Sequence, residues 1–203
     1  MTRRGCGLLL TVLVVAGLSG QRLDQALPDP GLLSTPPQEA WPTYHGDYSG
    51  RHFSSLAQIH AGNAEHLSLA WVHRLDTSPR GAVTGGPGTA PPPGDQGIPI
   101  RQIKAIPLMV DGVLYFSVPN HAYAVDARTG QTIWHYYWKS NRSAIGNRGM
   151  GMYKDRVYFE TPDNHLVSLD AATGVERWHK AIAPVPQYFS TPARRARPRP
   201  CRR

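Results

Sequence analysis

From Leu108 to His135 apolar and polar positions alternate with a period of two, in short runs broken by turn residues. The pattern predicts a strand over Leu108–Val110, a tight hairpin at Asp111-Gly112 and a second strand over Val113–Val118. Pro119-Asn120 breaks the chain, His121–Val125 makes a third strand, Asp126–Gly130 a turn, and Gln131–His135 a fourth strand. The same pattern then returns. MVDGVLYFSVPNHAYAVDARTGQTIWH, residues 109–135, aligns without a gap to YKDRVYFETPDNHLVSLDAATGVERWH, residues 153–179, at a constant offset of 44. The offset pairs Asp126 with Asp170, Thr129-Gly130 with Thr173-Gly174, and Trp134 with Trp178.

The repeated Asp-x-x-Thr-Gly-x-x-x-Trp has a physical reading. A short carboxylate accepts hydrogen bonds from the backbone N–H groups that follow it, glycine supplies positive φ, and the tryptophan offers a flat face for a neighbouring unit to cover. Four short strands recurring at a period of about 40–50 residues define an all-β chain built from β-propeller blades. A propeller needs about four to eight blades, so two blades predict an incomplete ring with an apolar flank that further blades would cover.

Around the first blade (101–140) and the second blade with its approach to the next (141–191), the pattern weakens. Residues 41–76 form a polar-aromatic lead-in that ends in LSLAWVHRL, whose alternation predicts one strand. Residues 77–100 are dense in Gly and Pro and read as a loop with no core of its own. At the N-terminus MTRR precedes GCGLLLTVLVVAGLSG, so residues 1–20 have the form of a signal peptide and predict export to a periplasmic or secreted location; an uncleaved anchor is the alternative. Cleavage there would remove Cys6 and leave Cys201 with no partner for an internal disulfide.

The formal charge of +8 changes little in this picture. Arg3, Arg4, Arg194, Arg195, Arg197, Arg199, Arg202 and Arg203 carry the excess, and the chain between them is neutral. Residues 192–203 form an Arg/Pro-rich ending without strand periodicity, which reads as a basic tail or as the point where native sequence stops. It lacks interleaved aromatic residues, and with export predicted it gives no support to nucleic-acid binding.

The two blade motifs, together with WPTYHGDYSGRHFSSLAQIHAGNAEHLSLAWVHRL before them, resemble the pyrroloquinoline quinone (PQQ) alcohol dehydrogenases. The resemblance implies an exported eight-bladed propeller. It also implies PQQ on the axis between a tryptophan and a vicinal cysteine pair, a Ca²⁺ ion polarising the quinone and an aspartate base. The implied partners are a small alcohol, a cytochrome c-type electron acceptor and the remaining blades. In NRGMGMYKDRVYF, Arg148 matches an arginine that hydrogen-bonds PQQ, and Thr161 matches a threonine on a PQQ carboxylate; an ion pair and ordinary strand propensity are their structural alternatives.

The departures are equally specific. Arg142-Ser143 stand where the family has its cysteines, and Lys104 stands where it has a glutamate. The base, the sandwich tryptophan and the Ca²⁺ carboxylate belong to blades beyond this sequence, so no residue here is a catalytic or metal candidate. The chain therefore reads as an N-terminal part of such a protein, inactive alone, or as a cofactor-free scaffold related to it. Nine histidines raise the question of a metal, but His121/His165 and His135/His179 are repeat-related and fall at equivalent places on successive blades. Asn141-Arg142-Ser143 is a formal glycosylation sequon, and no glycine-rich phosphate cradle is present.

Overall fold

A computed structural model describes residues 39–88, 103–140 and 148–184. Four sequence expectations lie outside the described residues: the signal segment 1–20, Arg142-Ser143 with its sequon, the approach to a next blade after 184, and the Arg/Pro-rich ending. Nine strands account for the regular structure, with one 3-10 turn at Ala64–His66 and no α-helix among the described residues.

Blade one is an antiparallel meander of β2 (Leu108–Val110), β3 (Val113–Val118), β4 (His121–Asp126) and β5 (Thr132–Trp138). Blade two repeats it with β6 (Gly151–Tyr153), β7 (Arg156–Glu160), β8 (His165–Asp170) and β9 (Glu176–Ala181). The first hairpin turns on Asp111 and Gly112, both at positive φ (50° and 73°), the geometry that matches the strands' own twist. Asn120 and Asn164 take equivalent left-handed positions (φ 66° and 62°) between the second and third strands of each blade. Both blades also slip register at the same place, between Ala124 and Val125 and between Ser168 and Leu169.

Three expectations differ from the structure. The fourth strand runs to Trp138 rather than His135, because β5 continues to pair with β4 down to His121. LSLAWVHRL makes no strand: no ladder partner lies beside it among the described residues. The Gly/Pro-rich stretch instead contributes β1 (Val83–Gly85), which pairs in parallel with the outer edge of β5, Val83 opposite Tyr136 and Gly85 opposite Trp138. A parallel partner that far back in sequence leaves no hairpin signature to read.

The core lies between the blades. Leu108, Tyr115, Trp134, Tyr136 and Trp138 of blade one meet Val157, Phe159, Val167 and Leu169 of blade two. A second cluster of Phe116, Val118, Tyr123 and Val125 lies on the opposite face of blade one, under Leu75 of the lead-in.

Candidate functional site

Both copies of the blade motif form the same turn. Asp126 Oδ1 accepts from the N–H groups of Arg128 and Thr129 and from the Thr129 hydroxyl (2.9, 2.7 and 2.9 Å). Asp170 Oδ1 does the same with Ala172 and Thr173. The Thr129 bonds hold the Asp126 carboxyl below its usual range. At Asp170 partial burial pushes the other way, and is outweighed by the bonds from Arg177, whose Nη2 donates to Oδ2 at 2.5 Å, and from Thr173.

These turns are the sockets for tryptophans from the neighbouring unit. Trp134 Nε1 donates to the Ala171 carbonyl at 2.8 Å while its ring lies against Gly174, where an added Cβ would come within 2.7 Å. One blade earlier, Trp71 Nε1 donates to the Ala127 carbonyl at 3.2 Å and its ring covers Gly130 in the same way. The lead-in thus supplies the tryptophan that a preceding blade would supply. Its register follows β5: Trp71, His73 and Leu75 face blade one as Trp134, Tyr136 and Trp138 face blade two, and Val72 between them is 69% exposed. His73 Nδ1 donates to the Gly130 carbonyl at 2.8 Å, and Tyr123 donates its phenol proton to the Asp76 carbonyl at 2.7 Å.

Sequence reasoning found Trp134 but missed the other two seam residues. Tyr136 donates to Glu176 Oε2 at 2.5 Å, and burial followed by that carboxylate raises its phenol far above the ordinary value. Trp138, fully buried, donates Nε1 to Asp163 Oδ1 at 2.8 Å. Their signal was the alternation of three aromatics along one strand face in TIWHYYW. In blade two the motif tryptophan has no such socket among the described residues. Trp178 is 38% exposed, and its neighbours Val175 and Ile182 are also open to solvent.

The two residues matched to the cofactor differ in their surroundings. Arg148 is exposed, just before the Gly149 bridge to Ile106. Thr161 is buried, but its hydroxyl donates to Asp163 Oδ1 and accepts from the His165 N–H (2.5 and 3.0 Å). That hydroxyl proton is already used, and the Asp163 carboxylate beside it adds negative charge where a cofactor carboxylate would come. The described residues therefore do not fit PQQ at this point, and no chemical step is drawn through it. Lys104 is exposed. Among the described residues no cluster of histidine, cysteine and carboxylate groups has the geometry of a metal site. Within blade one, His121 Nδ1 and His135 Nε2 lie 2.9 Å apart, a contact that the repeat reading did not address.

A tryptophan of one four-stranded unit docked on the Asp-x-x-Thr-Gly turn of the next, in consecutive antiparallel sheets, defines blades of a β-propeller. Residues 41–176 match the family described as the glucose/ethanol/alcohol dehydrogenase β-propeller domain (PQQ), and the chain belongs to it. It is 33% identical over 126 residues to a quinohemoprotein alcohol dehydrogenase of Comamonas testosteroni, covering 58% of this chain and 15% of that relative. It is 30% identical over 153 residues to quinohemoprotein alcohol dehydrogenase ADH-IIG of Pseudomonas putida, covering 71% and 17%. The crystal structure of the Comamonas testosteroni enzyme superimposes with a TM-score of 0.55 at 32% identity, over 70% of this chain and 19% of that one. The chain thus spans about a sixth of the length of these relatives.

Proposed function

We propose that this chain is the opening section of an exported propeller of the quinoprotein alcohol dehydrogenase type, and that by itself it does not oxidise alcohols. Its role is structural: the lead-in and two blades begin a ring that further blades complete. The observation that carries this reading is the inequality of the two flanks. Trp71 closes the Gly130 socket on one side, while Trp178 on the other is exposed at the place where Trp134 is buried. In the complete protein the family's chemistry would come from PQQ and Ca²⁺ held by later blades, with a small alcohol as substrate and a cytochrome c-type acceptor.

A second reading is a cofactor-free propeller used as a binding scaffold. It is favoured by the Thr161 hydroxyl being given to Asp163, and by Arg142-Ser143 in place of the cysteine pair. One experiment separates the two. The polypeptide continued through further Asp-x-x-Thr-Gly-x-x-x-Trp blades is mixed with PQQ and Ca²⁺, and quinone absorbance and alcohol-dependent dye reduction are recorded. Bound quinone with turnover supports the dehydrogenase reading, with Arg148→Ala weakening quinone binding. A folded propeller that leaves the quinone free overturns it in favour of the scaffold. Turnover by the 203-residue chain alone would overturn the structural role.

A further inference from the structure

On the face of blade one that meets the lead-in, five rings form a continuous stack: Phe116, Tyr123, His135, His121 and Tyr137. Tyr123 and His135 lie almost parallel (4.4 Å between centroids, 4°), and His135 stacks on His121 at 5.1 Å and 26°. His121 Nδ1 and His135 Nε2 are 2.9 Å apart and share one hydrogen bond. Blade two carries the same two histidines without this contact: His165 and His179 are edge-on at 5.8 Å, with the Trp138 indole 5.1 Å from each. Leu75 holds the position in the lead-in that corresponds to Trp138 and packs on the cluster of Phe116, Val118, Tyr123 and Val125, whereas Trp138 lies against both histidines of blade two.

We propose that the His121–His135 pair is an acid-sensitive latch, which holds lead-in residues 71–78 on blade one while the facing ring nitrogens share a single proton and releases them when both are protonated. Protonating the accepting nitrogen sets two N–H groups against each other 2.9 Å apart and makes that ring an imidazolium. A further proton on the outer nitrogen of its partner makes the two rings like charges, with His121 buried. The lead-in is what covers that face. Leu75 packs on the apolar cluster, Asp76 accepts from Tyr123, and His73 holds Gly130. Protons have a way in, because a cavity of about 250 Å³ opens between His135 and the lead-in, lined by His73, Arg74, Asp76 and Arg80.

The surrounding charges do not neutralise the pair. The Asp76 carboxylate favours the charged imidazoles, and Arg74 and Arg80 line the cavity beside His135. His73 adds a third imidazole on the lead-in side, while Tyr123 and Tyr137 present neutral rings from the blade. Burial dominates: it holds His121 down to about 3, helped by His135, and His135 down to about 4. Both groups are depressed, so the attached state loses stability as pH falls from the ordinary histidine value of 6.5 toward these figures. In that window the detached fraction rises up to about tenfold per pH unit for each histidine.

The test is hydroxyl-radical footprinting of the full chain between pH 7 and pH 4, read residue by residue by mass spectrometry. The expected result is a steep rise in oxidation of Trp71, Leu75 and Tyr123, with the seam residues Trp138 and Phe159 unchanged. The double variant His121→Phe/His135→Phe keeps the ring stack and removes both protons, so its lead-in stays covered down to pH 4. Unchanged labelling of the natural chain at pH 4 overturns the latch. So does a rise at Trp138 and Phe159 in step with Trp71, which is general acid unfolding. Should the variant lose its protection at pH 7, proton NMR titration of the two imidazoles in the natural chain decides. Titration coincident with the exposure of Tyr123 supports the latch, and titration without exposure overturns it.

Discussion

Gly174 shows how little latitude one position has. It sits at φ +70°, and an added methyl would meet the Trp134 ring at 2.7 Å. Gly174→Ala therefore combines a left-handed backbone with overpacking, and about 2–4 kcal/mol of stability should be lost in a urea titration. A loss under about 0.5 kcal/mol would mean that the tryptophan is not seated there. The Asp170 turn gives a prediction of different sign structure. Its carboxyl is depressed despite partial burial because Arg177 and Thr173 bond it, so its contribution is present above the ordinary carboxylate value of 3.8 and fades as pH falls through the lower folded value. Arg177→Gln should consequently be less stable than the natural chain at pH 7, and the two should converge at pH 2.5. A gap that persists there would assign the effect to packing of the arginine stem.

At the scale of elements, β5 is the member that joins the blades. Trp134, Tyr136 and Trp138 lie on one face at i, i+2 and i+4, and each donates a hydrogen bond across the seam. Trp134→Ala should cost about 3–5 kcal/mol, since it opens a cavity and strips a partner from the Ala171 carbonyl. Trp178→Ala should cost under about 1 kcal/mol in the same chain, its ring being partly exposed with no socket among the described residues. Thermal denaturation of the two variants side by side checks the contrast, and equal losses would refute the seam as described.

Much of this element structure was legible beforehand. The strands from Leu108 to Asp126 alternate cleanly, and a gapless second copy confirms each turn by repetition. Two features were not legible, for different reasons. Trp71–Leu75 has the alternation of a strand yet no neighbour among the described residues to complete a ladder, so its role emerges only when Trp71 is seen on Gly130. β1 hides in a Gly/Pro-rich segment because its pairing with β5 is parallel and distant in sequence. At the candidate site, Arg148 and Thr161 carry a family pattern, but whether a threonine hydroxyl is free depends on the aspartate two residues on. That is a matter of rotamer rather than of spacing.

At the scale of the whole molecule the two flanks make opposite demands. Blade one is closed by the lead-in, with Trp71, His73 and Leu75 covering the face that another blade would otherwise need. Blade two has the same strand order and the same motif tryptophan, and nothing among the described residues covers it. Val175, Trp178 and Ile182 each remain more than a third exposed. Large apolar side chains grouped on one flank bind hydrophobic dyes and other chains until a proper neighbour excludes water. The 203-residue chain should therefore enhance 8-anilinonaphthalene-1-sulfonate fluorescence. Extending it by one further Asp-x-x-Thr-Gly blade should leave that signal undiminished, because the extension carries a new open flank in place of the old one. The extension nevertheless protects Trp178, which loses its access to acrylamide quenching while the new blade's own tryptophan takes over the exposed role. Only closure of the ring, when the last blade meets the face now held by the lead-in, should abolish the dye signal. A signal already absent in the short chain would mean that its flank is covered within the chain itself. That result would remove the physical reason for expecting further blades.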